Sequence, residues 1–147
     1  MAVRPILIRR PPQDVWRVLC DGRTYARWVV GTTGSRPLDD RWPAEGSAIR
    51  YTAGAGPLRF SGRTVVRRCE PGKLLELEAQ SRPLGSARIA IDVRPWGENT
   101  LVIIDEHPLT GPGGRMHNRL SEAVLQLRHR RMLKNFARLV EETPTAE

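Results

Sequence analysis

From Ala48 to His107 apolar side chains recur at every second position, one segment after another, and this period sets the fold class. Ile49 and Tyr51 flank Arg50. Leu58, Phe60, Gly62, Thr64 and Val66 alternate with Arg59, Ser61, Arg63 and Arg67. After a Pro71-Gly72 turn, Leu75, Leu77 and Ala79 alternate with Glu76 and Glu78. After Gly85, Ala87, Ile89, Ile91 and Val93 alternate with Arg88, Asp92 and Arg94; a Trp96-Gly97-Glu98-Asn99 turn then leads to a strand over Thr100–His107. Successive strand residues point to opposite faces, so this pattern predicts an antiparallel sheet with one covered and one wet face.

The two ends read differently. Met1–Arg10 reads as a strand that Pro5 confines to an edge or a bulge. Pro11, Pro12 and Asp14 suit the first turn of a helix, and Val15, Trp16, Val18 and Leu19 give it an apolar side that ends at Gly22. Arg23–Trp28 forms a second helical turn, with Tyr25 and Trp28 on one side; Gly31 and Gly34 break it, and strands begin at Ser35. Arg115–Glu142 reads as one long helix. Leu125, His129, Met132, Phe136 and Leu139 share one stripe, while Leu120, Val124 and Leu127 form a second on another side. The two-sided end must meet two things: the sheet, and a loop, a ligand or a second subunit, so a homodimer stays open.

At 147 residues the chain reads as a single domain over residues 1–147, able to bury roughly 70% of its unfolded surface without staples. Cys20 and Cys69 have neither ligand nor redox spacing and read as packing residues. No segment approaches the roughly 20 apolar residues of a membrane span, and Ile6-Leu7-Ile8 is too short for a signal peptide, so a cytoplasmic protein is expected. The net charge is +8, from 24 Lys+Arg against 16 Asp+Glu, and only Lys73 and Lys134 are lysines. On the outer face Arg59, Arg63 and Arg67 neighbour Glu76 and Glu78, which in turn neighbour Arg88, Asp92 and Arg94. That alternation favours a solvated ladder of weak ion pairs over an anion-binding surface.

The order of strand, two short helices, about six antiparallel strands and one long helix resembles the helix-grip fold of the START and birch-pollen-allergen-like superfamily (SRPBCC). Within it the chain is similar to the polyketide cyclase/dehydrase-type members. The residues that carry the resemblance are Pro11-Pro12-Gln13-Asp14-Val15-Trp16, then Asp21, Tyr25 and Trp28, Cys69-Glu70-Pro71, and Arg131–Leu139, across residues 2 to 141. It implies an α+β fold in which a curved sheet of about seven strands wraps a long C-terminal helix, enclosing a deep, mostly apolar cavity. Members bind lipids, sterols, polyketides, hormones or other hydrophobic molecules, and a minority catalyse cyclisation or dehydration. The superfamily has no universal catalytic motif, so the resemblance transfers no catalytic residue.

Within such a cavity the polar residues are the candidates. Leu101–Ile104 is apolar throughout, so period 2 alone does not orient the Asp105-Glu106-His107 end of its strand. Val102, Ile104 and Glu106 are the favoured inward set. A carboxyl beside an apolar cavity is a candidate acid or base; at the rim it is merely a solvated strand end. His129 occupies the middle of the inward stripe of the last helix, where an apolar residue is expected. It is a satisfied core residue, a polar anchor for a ligand, or a general acid/base. The expected lining is Trp28, Tyr51, Phe60, Leu77, Ile91, Glu106, Leu125, His129 and Met132, with Gly111–Gly114 as a turn gating the cavity. His107, His117 and His129 lack metal-ligand spacing, so neither metal nor other cofactor is expected.

Three readings follow. The first is a module that binds a hydrophobic small molecule. The second is an aromatase/cyclase or dehydratase, which needs polar groups such as Glu106, His129 and Tyr51 to converge. The third, weakest for this charge pattern, is a nucleic-acid or anionic-surface binder using the Arg-rich face.

Overall fold

A computed structural model describes residues 2–55, 57–81, 85–110 and 119–144. The chain forms β1 (Ala2–Ile8), α1 (Pro12–Cys20), a 3-10 turn (Gly22–Thr24), α2 (Tyr25–Trp28) and β2 (Thr32–Pro37). It continues through β3 (Ala48–Ala55), β4 (Leu58–Glu70), β5 (Leu74–Ser81), β6 (Gly85–Trp96) and β7 (Asn99–Thr110) to α3 (Arg119–Glu142). The strands form one curved antiparallel sheet of seven, ordered β1-β7-β6-β5-β4-β3-β2.

The alternation read from the sequence is the alternation in the sheet. Register brings Val66, Leu77, Ile89 and Glu106 side by side on one face, and Leu75, Ile91 and Ile104 in the adjacent row. These apolar side chains are buried, and α3 covers them with Met132, Leu133, Phe136, Leu139 and Val140. Burying a side chain of this size contributes about 1.5–3 kcal/mol, so the seam between sheet and helix is the main source of stability. The far end of α3 is tied down by cations: Arg10 donates to the Glu141 carbonyl at 2.7 Å and Arg17 to the Pro144 carbonyl at 3.1 Å. Positive charge there also complements the helix dipole.

Two boundaries differ from the sequence reading. Strand β2 begins at Thr32 rather than Ser35, and Gly34 lies inside it at a register shift rather than breaking the chain. Thr-Thr-Gly-Ser has no hydrophobic period to reveal it. The strand is fixed instead by the Ser35 hydroxyl, which donates to the Gly22 carbonyl at 2.9 Å and accepts from the Ala26 amide at 3.0 Å. In α3, Leu127 points to solvent with 62% of its surface exposed, so it takes no part in the core of the described residues. Arg115–Asn118, the Gly111–Gly114 turn, and the side chains of Leu120, Val124 and Leu125 lie outside the described residues.

Two glycines are required by close approach. A Cβ at Gly22 would lie 2.8 Å from Ile49 and 2.9 Å from Pro37, which lets the 3-10 turn press onto the sheet. A Cβ at Gly62 would collide with the Gln80 carbonyl and with the Tyr51 phenol, which lies across its cross-strand partner. Gly62→Ala must therefore displace Tyr51 and also shift the backbone of β4 away from the Gln80 carbonyl. The expected cost is about 1–3 kcal/mol, the scale of core overpacking, read by urea unfolding. Arg63→Gln, the next residue but on the wet face, should leave the unfolding midpoint unchanged.

Candidate ligand site between the sheet and the last helix

Strand β7 turns Val102, Ile104 and Glu106 toward α3; Val102 and Ile104 are fully buried and Glu106 nearly so. Leu101, Ile103, Asp105 and His107 lie half-buried on the opposite face, where His107 Nδ1 sits 3.4 Å from Asp105 Oδ1. Pairing of β7 with β1 on one side and β6 on the other fixes this choice, which the four apolar residues of Leu101–Ile104 left open.

Opposite Glu106, the inward stripe of α3 delivers His129. The histidine is fully buried, and its Nδ1 lies 3.3 Å from Glu106 Oε2. Its Nε2 is buried with no hydrogen-bond partner among the described residues. An unmet buried polar atom costs about 1–3 kcal/mol, so such atoms are rare in folded proteins unless something else meets them. In the tautomer that donates Nδ1–H to Glu106, Nε2 offers a lone pair that can accept a hydrogen bond or a proton.

Aromatic rings run from the sheet to the helix beside this pair. Tyr51 lies 5.9 Å from Tyr25 between ring centres, Tyr25 lies 5.6 Å edge-on from Trp28, and Trp28 lies 5.2 Å edge-on from Phe136. The Tyr25 hydroxyl accepts a hydrogen bond from Thr64 Oγ1 at 3.0 Å, and Tyr51 donates to the Gln80 carbonyl at 3.2 Å. Burial pushes the Tyr25 phenol well above its ordinary range; its bond from Thr64 acts in the opposite sense, and nearby Tyr51 and Glu106 add to the rise. It is therefore a neutral phenol at any working pH. Arg4, on the inward face of β1, reaches α3 through bonds of 3.4 and 3.3 Å to Gln126 Oε1.

Of the residues expected to line the site, Glu106 and His129 are in direct contact, and Trp28 and Tyr51 belong to the aromatic run. Leu77, Ile91 and Met132 are buried in the same core cluster, and Phe60 is half-buried opposite Ala53. Leu125 has no described side chain. Sequence reasoning passed over Thr64 and Tyr25 as site residues. Both carried a signal, since Thr64 stands on the inward period of β4 and Tyr25 precedes Trp28 by three positions. The cysteines are free, and burial pushes both thiols up, which makes them poor nucleophiles.

Because Glu106 depends on His129, His129→Leu alone should destabilise the protein by about 1–3 kcal/mol, the cost of a stranded buried group. The Glu106→Leu/His129→Leu double variant should recover most of that loss in urea unfolding, since replacing a buried pair by apolar side chains is often neutral or stabilising. For Tyr25 the sign follows from the raised phenol. The unfolded phenol begins to ionise near pH 10 while the folded one does not. The contribution of Tyr25 to stability is therefore constant below about pH 9 and falls above it. Tyr25→Phe should flatten that alkaline fall in melts between pH 8 and 11.

Known structures repeat the architecture. The Chromobacterium violaceum protein CV1439 superposes with a TM-score of 0.69 at 17% identity, covering 97% of this chain and 98% of its own. Ara h 8.0201 superposes at 0.73 with 7% identity, covering 97% of each chain. The di-domain ARO/CYC StfQ from the steffimycin biosynthetic pathway superposes at 0.70 with 11% identity; the match covers 96% of this chain but only 44% of StfQ. No curated protein matches by sequence. At these identities the structures establish a shared helix-grip fold. The family profile described as polyketide cyclase / dehydrase and lipid transport matches residues 2–141, and the chain belongs to that family, within the SRPBCC superfamily.

Proposed function

We propose that the protein binds a hydrophobic small molecule, lipid- or polyketide-like, between the concave face of the sheet and α3, and that His129 is its polar anchor. The observation that carries this reading is the His129 ring, fully buried, held at Nδ1 by Glu106 and without a partner at Nε2 among the described residues. A ligand hydroxyl or enol would meet Nε2 directly, relieving the unmet atom. The rings of Tyr25, Tyr51 and Trp28 would give such a ligand an aromatic wall. Family membership supports the same chemical class of ligand.

The Glu106–His129 contact also favours a second reading, turnover of a polyketide-like substrate by cyclisation or dehydration. A carboxylate that orients an imidazole through Nδ1 leaves Nε2 as the group that takes or gives a proton. Neutral Tyr25 would then be available to donate a hydrogen bond to a carbonyl oxygen that gains charge.

Native mass spectrometry of the purified protein should show a co-purifying apolar molecule, lost on organic extraction and rebound on addition. The Glu106→Leu/His129→Leu double variant, which strands no partner, should fold and weaken rebinding by roughly 1–3 kcal/mol. If the pair performs acid/base chemistry, turnover should fall by roughly 10²–10⁴ while most of the binding survives. Equal rebinding by parent and double variant, with equal turnover, would make the pair structural and remove this proposal.

A further inference from the structure

The wet face of the sheet divides into two halves that treat arginine differently. On the half formed by β5, β6 and the lower end of β4, each of four arginines has a carboxylate. Arg67 pairs with Glu78 at 3.3 Å, Arg88 with Glu76 at 2.7 Å, Arg94 with Asp92 at 2.9 Å and Arg68 with Glu70 at 2.7 Å. On the half formed by β2, β3 and the upper end of β4, Arg36 stands directly opposite Arg50, and Arg50 directly opposite Arg63. All three are exposed, and none has a carboxylate within ion-pair distance among the described residues. The next row is small and hydroxylated, with exposed Thr52 opposite Ser61, and exposed Arg59 lies beyond it.

Like charges directly opposite on neighbouring strands repel, and a sheet stabilised for its own sake would interleave them with carboxylates, as the other half does. A row of three such residues is suited to an external anion. We infer that Arg36, Arg50 and Arg63 form a docking site for an acidic helix of a partner protein. Strand spacing sets these arginines about 4.8 Å apart, so the row spans about 10 Å. Carboxylates at i, i+4 and i+7 of a helix lie about 5–6 Å apart and span about the same length. A helix laid across the strands thus meets all three guanidinium groups at once, while the small Thr52–Ser61 row lets its backbone approach. The described side chains of these rows include no aromatic ring, so the face lacks the stacking platform of single-stranded nucleic-acid binders. Among the described residues Leu38 is the one large exposed apolar side chain beside these rows, too little for an interfacial membrane anchor.

The test uses the full chain and a labelled alanine-rich helical peptide with glutamate at i, i+4 and i+7, read by fluorescence anisotropy at low salt. The parent should bind it, and the Arg36→Gln/Arg50→Gln/Arg63→Gln variant should bind at least about tenfold more weakly. Arg67→Gln and Arg88→Gln should bind as the parent does. The triple variant should also unfold at a midpoint no lower than the parent's, because a repelling row has been removed. The same glutamates in scrambled order should bind much less tightly. Equal binding of the scrambled peptide, or tighter binding of duplex DNA or of phosphatidylserine vesicles, would replace a helix with another polyanion and overturn the inference. So would no binding by the parent.

Discussion

The apolar face of seven strands has to be covered, by α3 with α1 and α2 beside it, and every other feature of the molecule is adjusted to that demand. The sheet curves around α3, the 3-10 turn presses through Gly22 onto Ile49, and Arg10 and Arg17 hold the end of the helix in place. A seam made only of Ile, Leu, Val, Met and Phe would meet the demand most cheaply. The seam of this protein instead contains Glu106 and His129, in contact with each other, the histidine fully and the carboxylate largely withdrawn from water. Taking two such groups out of water rarely yields net stability, whereas breaking the pair is costly. The pair is therefore better explained by what it can do to a bound molecule than by what it adds to the fold.

The period-2 pattern made β3 to β7 legible from sequence because each strand has one covered and one wet face. Legibility failed where that premise failed. Strand β2 is Thr-Thr-Gly-Ser-Arg-Pro and is held by the Ser35 hydroxyl and by pairing with β3, neither of which leaves a hydrophobic trace. In β7 the outer face carries Leu101 and Ile103 beside the exposed Val3 and Leu7 of edge strand β1, so both faces are apolar and period 2 is silent. The orientation of Glu106 was decided by its neighbours in the sheet, which a single chain read in order does not display.

The site shows the same division. His129 could be singled out because a polar residue interrupts an apolar helical stripe, a departure visible in one dimension. Thr64 was legible only as an inward position on β4, because threonine is an ordinary strand residue, and burial beside Tyr25 is what gives its hydroxyl a role. Tyr25 was legible as a ring beside Trp28 but not as a phenol held neutral in the interior. Glu106 and His129 are 23 positions apart, and only the sheet's pairing and the placement of α3 bring their polar atoms together.

Charge on the outer face separates composition from design. An excess of arginine over lysine, 24 basic residues with only Lys73 and Lys134 not arginine, fixes how many guanidinium groups the surface carries. Composition acts on the whole chain alike, so it does not sort them. Yet Arg67, Arg68, Arg88 and Arg94 each have a carboxylate, and Arg36, Arg50 and Arg63 are set side by side without one among the described residues. Register does the sorting: the same alternation that turns Ile49, Tyr51 and Thr64 inward turns the arginines between them outward and into line. The covered face and the charged row are thus two consequences of one pattern, and a change of register that spoiled either would spoil both.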